Sequence, residues 1–168
     1  MCRLLTVKQP DSKELLPAAS HLKAQRSAGR SPVFHTLDLL TAYAYIRIKQ
    51  GDKWKTAFCM PYRHYKYQVM LFRLTNAPAT FQSVVDYAIC PFLDKFAVCY
   101  LNNILIFSKT LEEHKRHVRA VLDALYMHKL SVNKDKSKFH VIKTVFLGYK
   151  ISPGQIQLEP AKIEAIKT

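Results

Sequence analysis

Acidic residues are scarce in this chain of 168 residues: 12 Asp and Glu stand against 26 Lys and Arg, a formal charge of +14. Such a shortage of negative charge points to a polyanionic partner, with nucleic acid ahead of a membrane surface. Long apolar runs are also missing. No window approaches about 18 consecutive apolar residues, so no segment is expected to span a bilayer. The N-terminal MCRLLTVKQPDSKELL lacks the apolar stretch of a signal peptide, and an intracellular location, cytoplasmic or nuclear, is expected. The four cysteines, at 2, 59, 90 and 99, have no CxxC spacing. They fit free thiols in a reducing compartment rather than a disulfide frame. Repeats and low-complexity tracts are absent. What is present is apolar content of 49%, which excludes wholesale disorder, and enough length for one domain with a sizeable core.

Residues 1–32 are polar and poorly periodic, and are expected to be mostly loop with room for a short helix around 12–24. Strands are expected at 33-VFHTLDL-39 and 45-YIRIK-49, with a turn at 51–53. The aromatic, cationic segment 54-WKTAFCMPYRHYKYQVML-71 reads as a hairpin. In 75-TNAPATFQSVVDYAICP-91, Thr75 or Asn76 can cap a helix, Pro78 suits its first turn, and Phe81, Val84, Val85, Ala88 and Ile89 make one stripe. A second helix begins at 110-TLEE-113, where Thr110 and Glu113 have capping-box spacing. Its expected buried stripe is Val118, Val121, Leu122 and Leu125. Residues 138–152 read as a last hairpin and 160-PAKIEAIK-167 as a short helix. Few long βαβ crossovers fit this order, so the expected class is α+β with a mainly antiparallel sheet.

Two places carry chemistry. The stretch 96-FAVCYLNNILIFSK-109 is a hairpin with apolar flanks and a tip at Asn102 and Asn103. Strands so apolar are buried on most sides and present the tip to something. Asp38, near the end of the first strand, is a candidate to share that site, because phosphoryl-transfer enzymes hold two Mg²⁺ ions with carboxylates from two strands. Here the tip offers amides instead. His114 and His117 form an HxxH pair without a second ligand pair, which reads as a solvated helix face rather than a zinc site. Lys53, Trp54, Lys55, Arg63, Tyr65 and Lys66 interleave cations with rings, as single-strand binders do, and Lys129, Lys134, Lys136 and Lys138 form a second basic cluster. Both also fit solvated faces.

The chain resembles the palm of reverse transcriptases from gypsy-type LTR retrotransposons over about residues 33–168. The likeness rests on FHTLDLLTAY, KTAF at 55–58, LTNAPATFQ at 74–82, YLNNILIFSK at 100–109, EEH at 112–114 and FLGYKIS at 146–152, in that order. It implies an RNA-directed DNA polymerase ancestry, a palm sheet backed by two helices, Mg²⁺ as cofactor, and an RNA or DNA template–primer as partner. In the family the hairpin tip reads Tyr-x-Asp-Asp, so Asp38, Asn102 and Asn103 fall on the three carboxylate positions. The resemblance assigns Tyr43, Phe72, Arg73 and Gln82 to the incoming nucleotide. It assigns Leu147, Gly148 and Tyr149 to the hairpin that grips the primer. Asn102 and Asn103 are equally good turn residues, and Tyr43 a good core aromatic.

The departures are specific. Each missing carboxylate forfeits about 4 kcal/mol of attraction to a cation at ~4 Å and an effective dielectric of ~20. That is roughly a thousandfold in rate if felt in the transition state. Catalysis is therefore expected to be lost, with Mg²⁺ not bound productively and Asp38 a weak metal ligand. Arg73 stands where the family has Gly and is expected to crowd the nucleotide, with a salt link to a phosphate as the alternative; Leu71 stands where the family has Pro. Asp to Asn, Gly to Arg and Pro to Leu are all single G-to-A or C-to-T transitions, which suits a decayed transposon copy. Fingers, expected only as a remnant in 1–32, and a thumb are expected to be largely missing. The uncovered palm surfaces predict either poor solubility or a protein partner that covers them. Three functions follow: a polymerase by descent, now inactive; a retained nucleic-acid-binding module; or a relic without a molecular role.

Overall fold

Alternation along a handful of strands accounts for the central sheet. The computed structural model describes residues 31–40, 42–72 and 74–159, so the readings of residues 1–30, of Arg73 and of the helix at 160–167 lie outside the described residues. In chain order the elements are β1 (Val33–Leu39), β2 (Ala57–Met60), β3 (Arg63–Lys66), α1 (Ala77–Ile89), β4 (Ala97–Tyr100), β5 (Asn103–Ser108), α2 (Leu111–Met127), β6 (Val132–Val141), β7 (Thr144–Phe146), β8 (Tyr149–Ser152) and β9 (Gln155–Leu158). Strands β4, β5, β1 and β6 pair antiparallel in that order. Leu37 and Leu39 cluster with Phe81, Val85 and Ile89 of α1 and Val121 and Leu125 of α2. Phe34, Val98, Leu105 and Phe107 pack instead with Phe146 and Ile151 of β7 and β8. Both faces of the sheet are therefore covered, which is why the β4–β5 hairpin is apolar at nearly every position. Period two then puts Asp38 on the Phe34 face, away from the helices.

The helices form where their caps and stripes demand. Pro78 sits in the first turn of α1, but Asn76, at its N-cap, makes no side-chain capping bond because its backbone (φ −92°, ψ 0°) is not extended. Thr110 does cap α2: Glu113 N–H donates to its Oγ1 at 3.3 Å. The stripe of α2 departs from expectation. Val121 and Leu125 are buried, Leu122 turns toward solvent, and His114 is 0% exposed. The HxxH pair is thus not a solvated face.

His114 is buried because it has a partner 79 residues away. Its Nε2 meets Nδ1 of His35, itself 1% exposed, at 2.5 Å. Ser108 Oγ bridges Nδ1 of His114 at 2.9 Å and Nδ1 of His117 at 2.7 Å, and the His117 ring stacks on Phe96. The His140 backbone N–H also donates to His35 Nδ1, at 3.4 Å. One proton assignment satisfies every bond with neutral rings: His117 donates to Ser108, Ser108 to His114, and His114 to His35. Burial, with His114 and His140 close by, brings His35 down to about 4. Burial, with His140 and His117, brings His114 to about 4 as well.

Three strand readings need correction. Residues 42–45 form a 3-10 turn, and 45–49 contributes only a bridge, Arg47 to Val69. Ile46 and Ile48 alternate inward as the pattern requires, but the stretch finds one partner for a single step. The hairpin expected over 54–71 is narrower, β2 with β3, because a 3-10 turn takes Gln50–Thr56. The segment 138–152 is not one hairpin: β6 ends at Val141 on the main sheet, and β7, β8 and β9 form a separate antiparallel meander. Strand β9 follows Pro153 and Gly154 (φ 78°), the two-residue turn that joins it to β8. Cys59, Cys90 and Cys99 are free thiols, as expected.

Candidate functional site

The β4–β5 hairpin closes between Tyr100 and Asn103, leaving Leu101 and Asn102 as its turn. The left-handed residue is Leu101 (φ 52°), not an asparagine. A leucine there costs about 1 kcal/mol or more, so something must hold it. Gln82 of α1 does: its Oε1 accepts the Leu101 N–H at 2.5 Å, and its Nε2 donates to Asp86 Oδ1 at 2.8 Å. From the other side, the Leu39 N–H donates to the Asn102 carbonyl at 2.8 Å. The tip is clamped between α1 and the end of β1.

That clamp brings Asp38, Asn102 and Asn103 together. Asp38 pairs with Asn103 across the β1–β5 ladder. Asn102 Nδ2 donates to Asp38 Oδ2 at 3.0 Å, and Asn103 Nδ2 donates to Asn102 Oδ1 at 3.2 Å. A carboxylate only accepts, so the amide nitrogen, not the oxygen, must face it. One carboxylate capped by an amide donor does not fit two divalent ions, which need several anionic oxygens. Among the described residues no group of three His, Cys, Asp or Glu converges on a metal position.

The opposite wall of the site comes from β6. Two steps along β1, Thr36 to Asp38, are matched by five along β6, Lys138 to Asn133. The surplus residues bulge out of the ladder, and bulges of this kind re-aim side chains. Ser137 Oγ repairs the break by accepting the Asp38 N–H at 3.1 Å while donating to the Asn133 carbonyl at 2.5 Å. Lys136 and Lys138 consequently line a cavity of about 290 Å³ with Asp38, Asn103, Phe146 and Leu147. Leu147 (φ 52°) and Gly148 (φ 78°) are both left-handed, the primed turn that joins β7 to Tyr149 at the start of β8. Of the expected primer-grip residues, Leu147 lines this cavity.

The remaining candidates lie elsewhere. The Tyr43 ring packs against Phe72 and Phe81 at centroid distances of 5.2 and 4.9 Å, and burial raises its pKa. Phe72 is 76% exposed. Lys53 and Lys55 stand on the 3-10 turn before β2, with Lys55 paired to Asp52 at 2.7 Å. Arg63 and Lys66 are exposed on β3, next to the stacked rings of Phe58 and Tyr65. Sequence reasoning missed two things here. Gln82 carries the tip, and Lys136 and Lys138 of the second basic cluster border the Asp38 site. An Asn-Lys-Asp-Lys-Ser stretch gives no periodic signal for a bulged strand.

A family model described as "Reverse transcriptase (RNA-dependent DNA polymerase)" matches residues 2–151. The chain is similar to the Tf2-7 and Tf2-3 transposon polyproteins of Schizosaccharomyces pombe, 40% and 39% identical over 122 residues. That match covers 73% of this chain and 9% of each relative. Among solved structures it is similar to foamy viral protease–reverse transcriptase in complex with an RNA/DNA hybrid (TM-score 0.71, 21% identity, 83% of this chain and 19% of that one). A second such structure, in complex with double-stranded DNA, gives a TM-score of 0.74 at 22% identity, over 83% of this chain and 24% of that one. The structural likeness shows the palm-like α+β fold. With the motif order, the sheet that sets Asp38 beside the 102–103 tip, and a family match over most of its length, the chain belongs to the reverse transcriptase family, as a domain of the retrotransposon polyprotein kind.

Proposed function

We propose that this domain is a reverse-transcriptase palm that binds nucleic acid without carrying out nucleotidyl transfer. The observation that carries this reading is the Asn102 Nδ2 to Asp38 Oδ2 hydrogen bond at 3.0 Å. The carboxylate expected to ligate Mg²⁺ is engaged by a neutral donor, and the family's other two carboxylates are amides. Restoring the usual metal chemistry means replacing both amides by anionic oxygens. Binding draws support from the charge of +14 and from the solved neighbours, which are complexes with an RNA/DNA hybrid and with double-stranded DNA. In this reading Tyr43 and Phe72 border the nucleotide position, Leu147, Gly148 and Tyr149 the primer end, and Lys53, Lys55, Arg63 and Lys66 a strand of template.

The test is primer extension with Mg²⁺ and deoxynucleotides, alongside binding of a labelled primer–template. Extension should be undetectable, and binding should weaken steeply with salt as neutralised phosphates release counterions. Asn102→Asp with Asn103→Asp should raise Mg²⁺ affinity. Robust incorporation by the unmodified chain, abolished by Asp38→Ala, would overturn the inactive reading. Absence of binding in dilute buffer would overturn the binding one.

A further inference from the structure

We infer that the cavity beside Asp38 is a phosphate site that works without a divalent metal ion. The inference rests on the reading that the tip no longer holds Mg²⁺ productively. Its basis is the charge that faces the cavity. Lys136 and Lys138 bring two ammonium groups and Asp38 one carboxylate, while Asn103 contributes a neutral amide. The lining sums to +1; a carboxylate at 103 would bring it to zero, and one at 102, outside the lining but hydrogen-bonded to Asp38 and Asn103, would add negative charge beside it. With three carboxylates, a phosphate could enter only behind cations. With amides the lining keeps a net positive charge and the lysines attract the anion directly.

The backbone of β6 sets both lysines at the cavity. The β6 bulge interrupts the ladder beside Asp38, and Ser137 takes up the stranded Asp38 N–H. Lys138 stands opposite Thr36, and the residues between Lys138 and Asn133 bulge so that Lys136 also reaches the cavity wall. Among the described residues the only salt bridge within 4.0 Å joins Lys55 to Asp52. Neither cavity lysine is therefore neutralised by direct pairing with Asp38. Asp38 in turn accepts from Asn102, which draws its charge toward the tip. A volume of about 290 Å³ admits a pyrophosphate or one backbone phosphate with its sugar, and Phe146 and Leu147 give the sugar an apolar wall. The ligand class is a phosphate ester or anhydride, from a nucleic-acid strand or free in solution.

Titration calorimetry with inorganic pyrophosphate in EDTA tests this on the full chain. Saturable one-to-one binding is expected, weakened at least tenfold by K136Q/K138Q. Both lysines are exposed on an edge strand, so this variant should keep its fold; an unchanged thermal midpoint verifies that. N102D/N103D should weaken the EDTA binding at least tenfold as well, and added Mg²⁺ should recover it. Pyrophosphate displacing a labelled primer–template identifies the occupant as backbone phosphate; pyrophosphate binding alongside the duplex identifies it as a free anion. No saturable binding in EDTA, or binding indifferent to both double variants, overturns the site. Primer–template binding that persists in that case leaves the nucleic-acid reading standing, so the two can fail separately.

Discussion

Strand β1 has two ends that obey opposite rules. At His35 the polar groups are enclosed: two histidines that are at most 1% exposed, a buried serine and a partly buried third imidazole pass hydrogen bonds in one direction with no charge among them. At Asp38, three residues on, the polar groups line an open cavity, and the lysines across it form no ion pair with any described residue. The alternation of the strand produces the contrast. His35 points at α2 and is sealed; Asp38 points at the β7–β8 side, where the β6 bulge keeps the wall apart. The difference teaches where stability and chemistry reside. A buried neutral network is costly to disturb, because each broken link strands another buried polar group. An open polar site loses little stability when altered and is free to change its ligands. Amides at 102 and 103 are tolerable to the fold for that reason.

The comparison breaks most visibly at the sealed end. His114→Ala removes a fully buried ring, leaves His35 Nδ1 only the long bond from the His140 N–H, and leaves the Ser108 hydroxyl proton without its acceptor. A loss of about 3 kcal/mol is expected, read as a drop in chemical-denaturation midpoint with unchanged slope. A loss below about 1 kcal/mol would mean that the network contributes little.

Acid should find the same weak point. His35 and His114 titrate near 4 in the fold, against 6.5 when unfolded. Between those values the unfolded chain binds more protons, so the stability present above pH 6.5 falls as pH drops toward 4 and levels off below it. The proton assignment agrees: a proton on His35 Nδ1 would face two donors. Thermal melts at pH 7.5 and 5 should differ by several degrees, and His114→Gln should flatten that difference. Equal melts would show the rings accept protons without cost.

How much of this was legible in the sequence follows from contact range. The helices, the Thr110 cap and the apolar hairpin are local patterns, and the placing of Asp38 beside Asn102 and Asn103 follows from motif order once the family resemblance is recognised. The histidine network was not legible, since His35 and His114 are joined only through β1 packing on α2, and HxxH on a helix looks solvated. The β6 bulge was hidden for a related reason: its lysines are paired by the register of β1, not by their own periodicity. Gln82 was given to the nucleotide by resemblance, and its hold on Leu101 depends on a left-handed backbone that no residue type announced.

Gln82→Ala probes the clamp between the two regimes. It frees the Leu101 N–H and releases a strained residue, with an expected cost of about 1–2 kcal/mol. Hydrogen exchange should speed up at the Leu101 amide while β1 and β5 amides keep their protection. Uniform loss of protection across the sheet would place the clamp in the core rather than at the tip.

The smallest effect is expected at Asp38 itself. Asp38→Asn keeps the side-chain shape and, with its amide turned, keeps an oxygen to accept from Asn102 Nδ2. Its backbone N–H still reaches Ser137, so the bulge is undisturbed. The neutral bond is weaker than the charge-assisted one, yet the site is half open, and the stability change should stay within about 1 kcal/mol. Charge moves further than stability: the cavity passes from +1 to +2, so primer–template and pyrophosphate should bind modestly tighter in EDTA, with a steeper salt dependence. A loss of 2 kcal/mol or more would show Asp38 to be a structural anchor of the hairpin tip, and the two ends of β1 would then follow one rule.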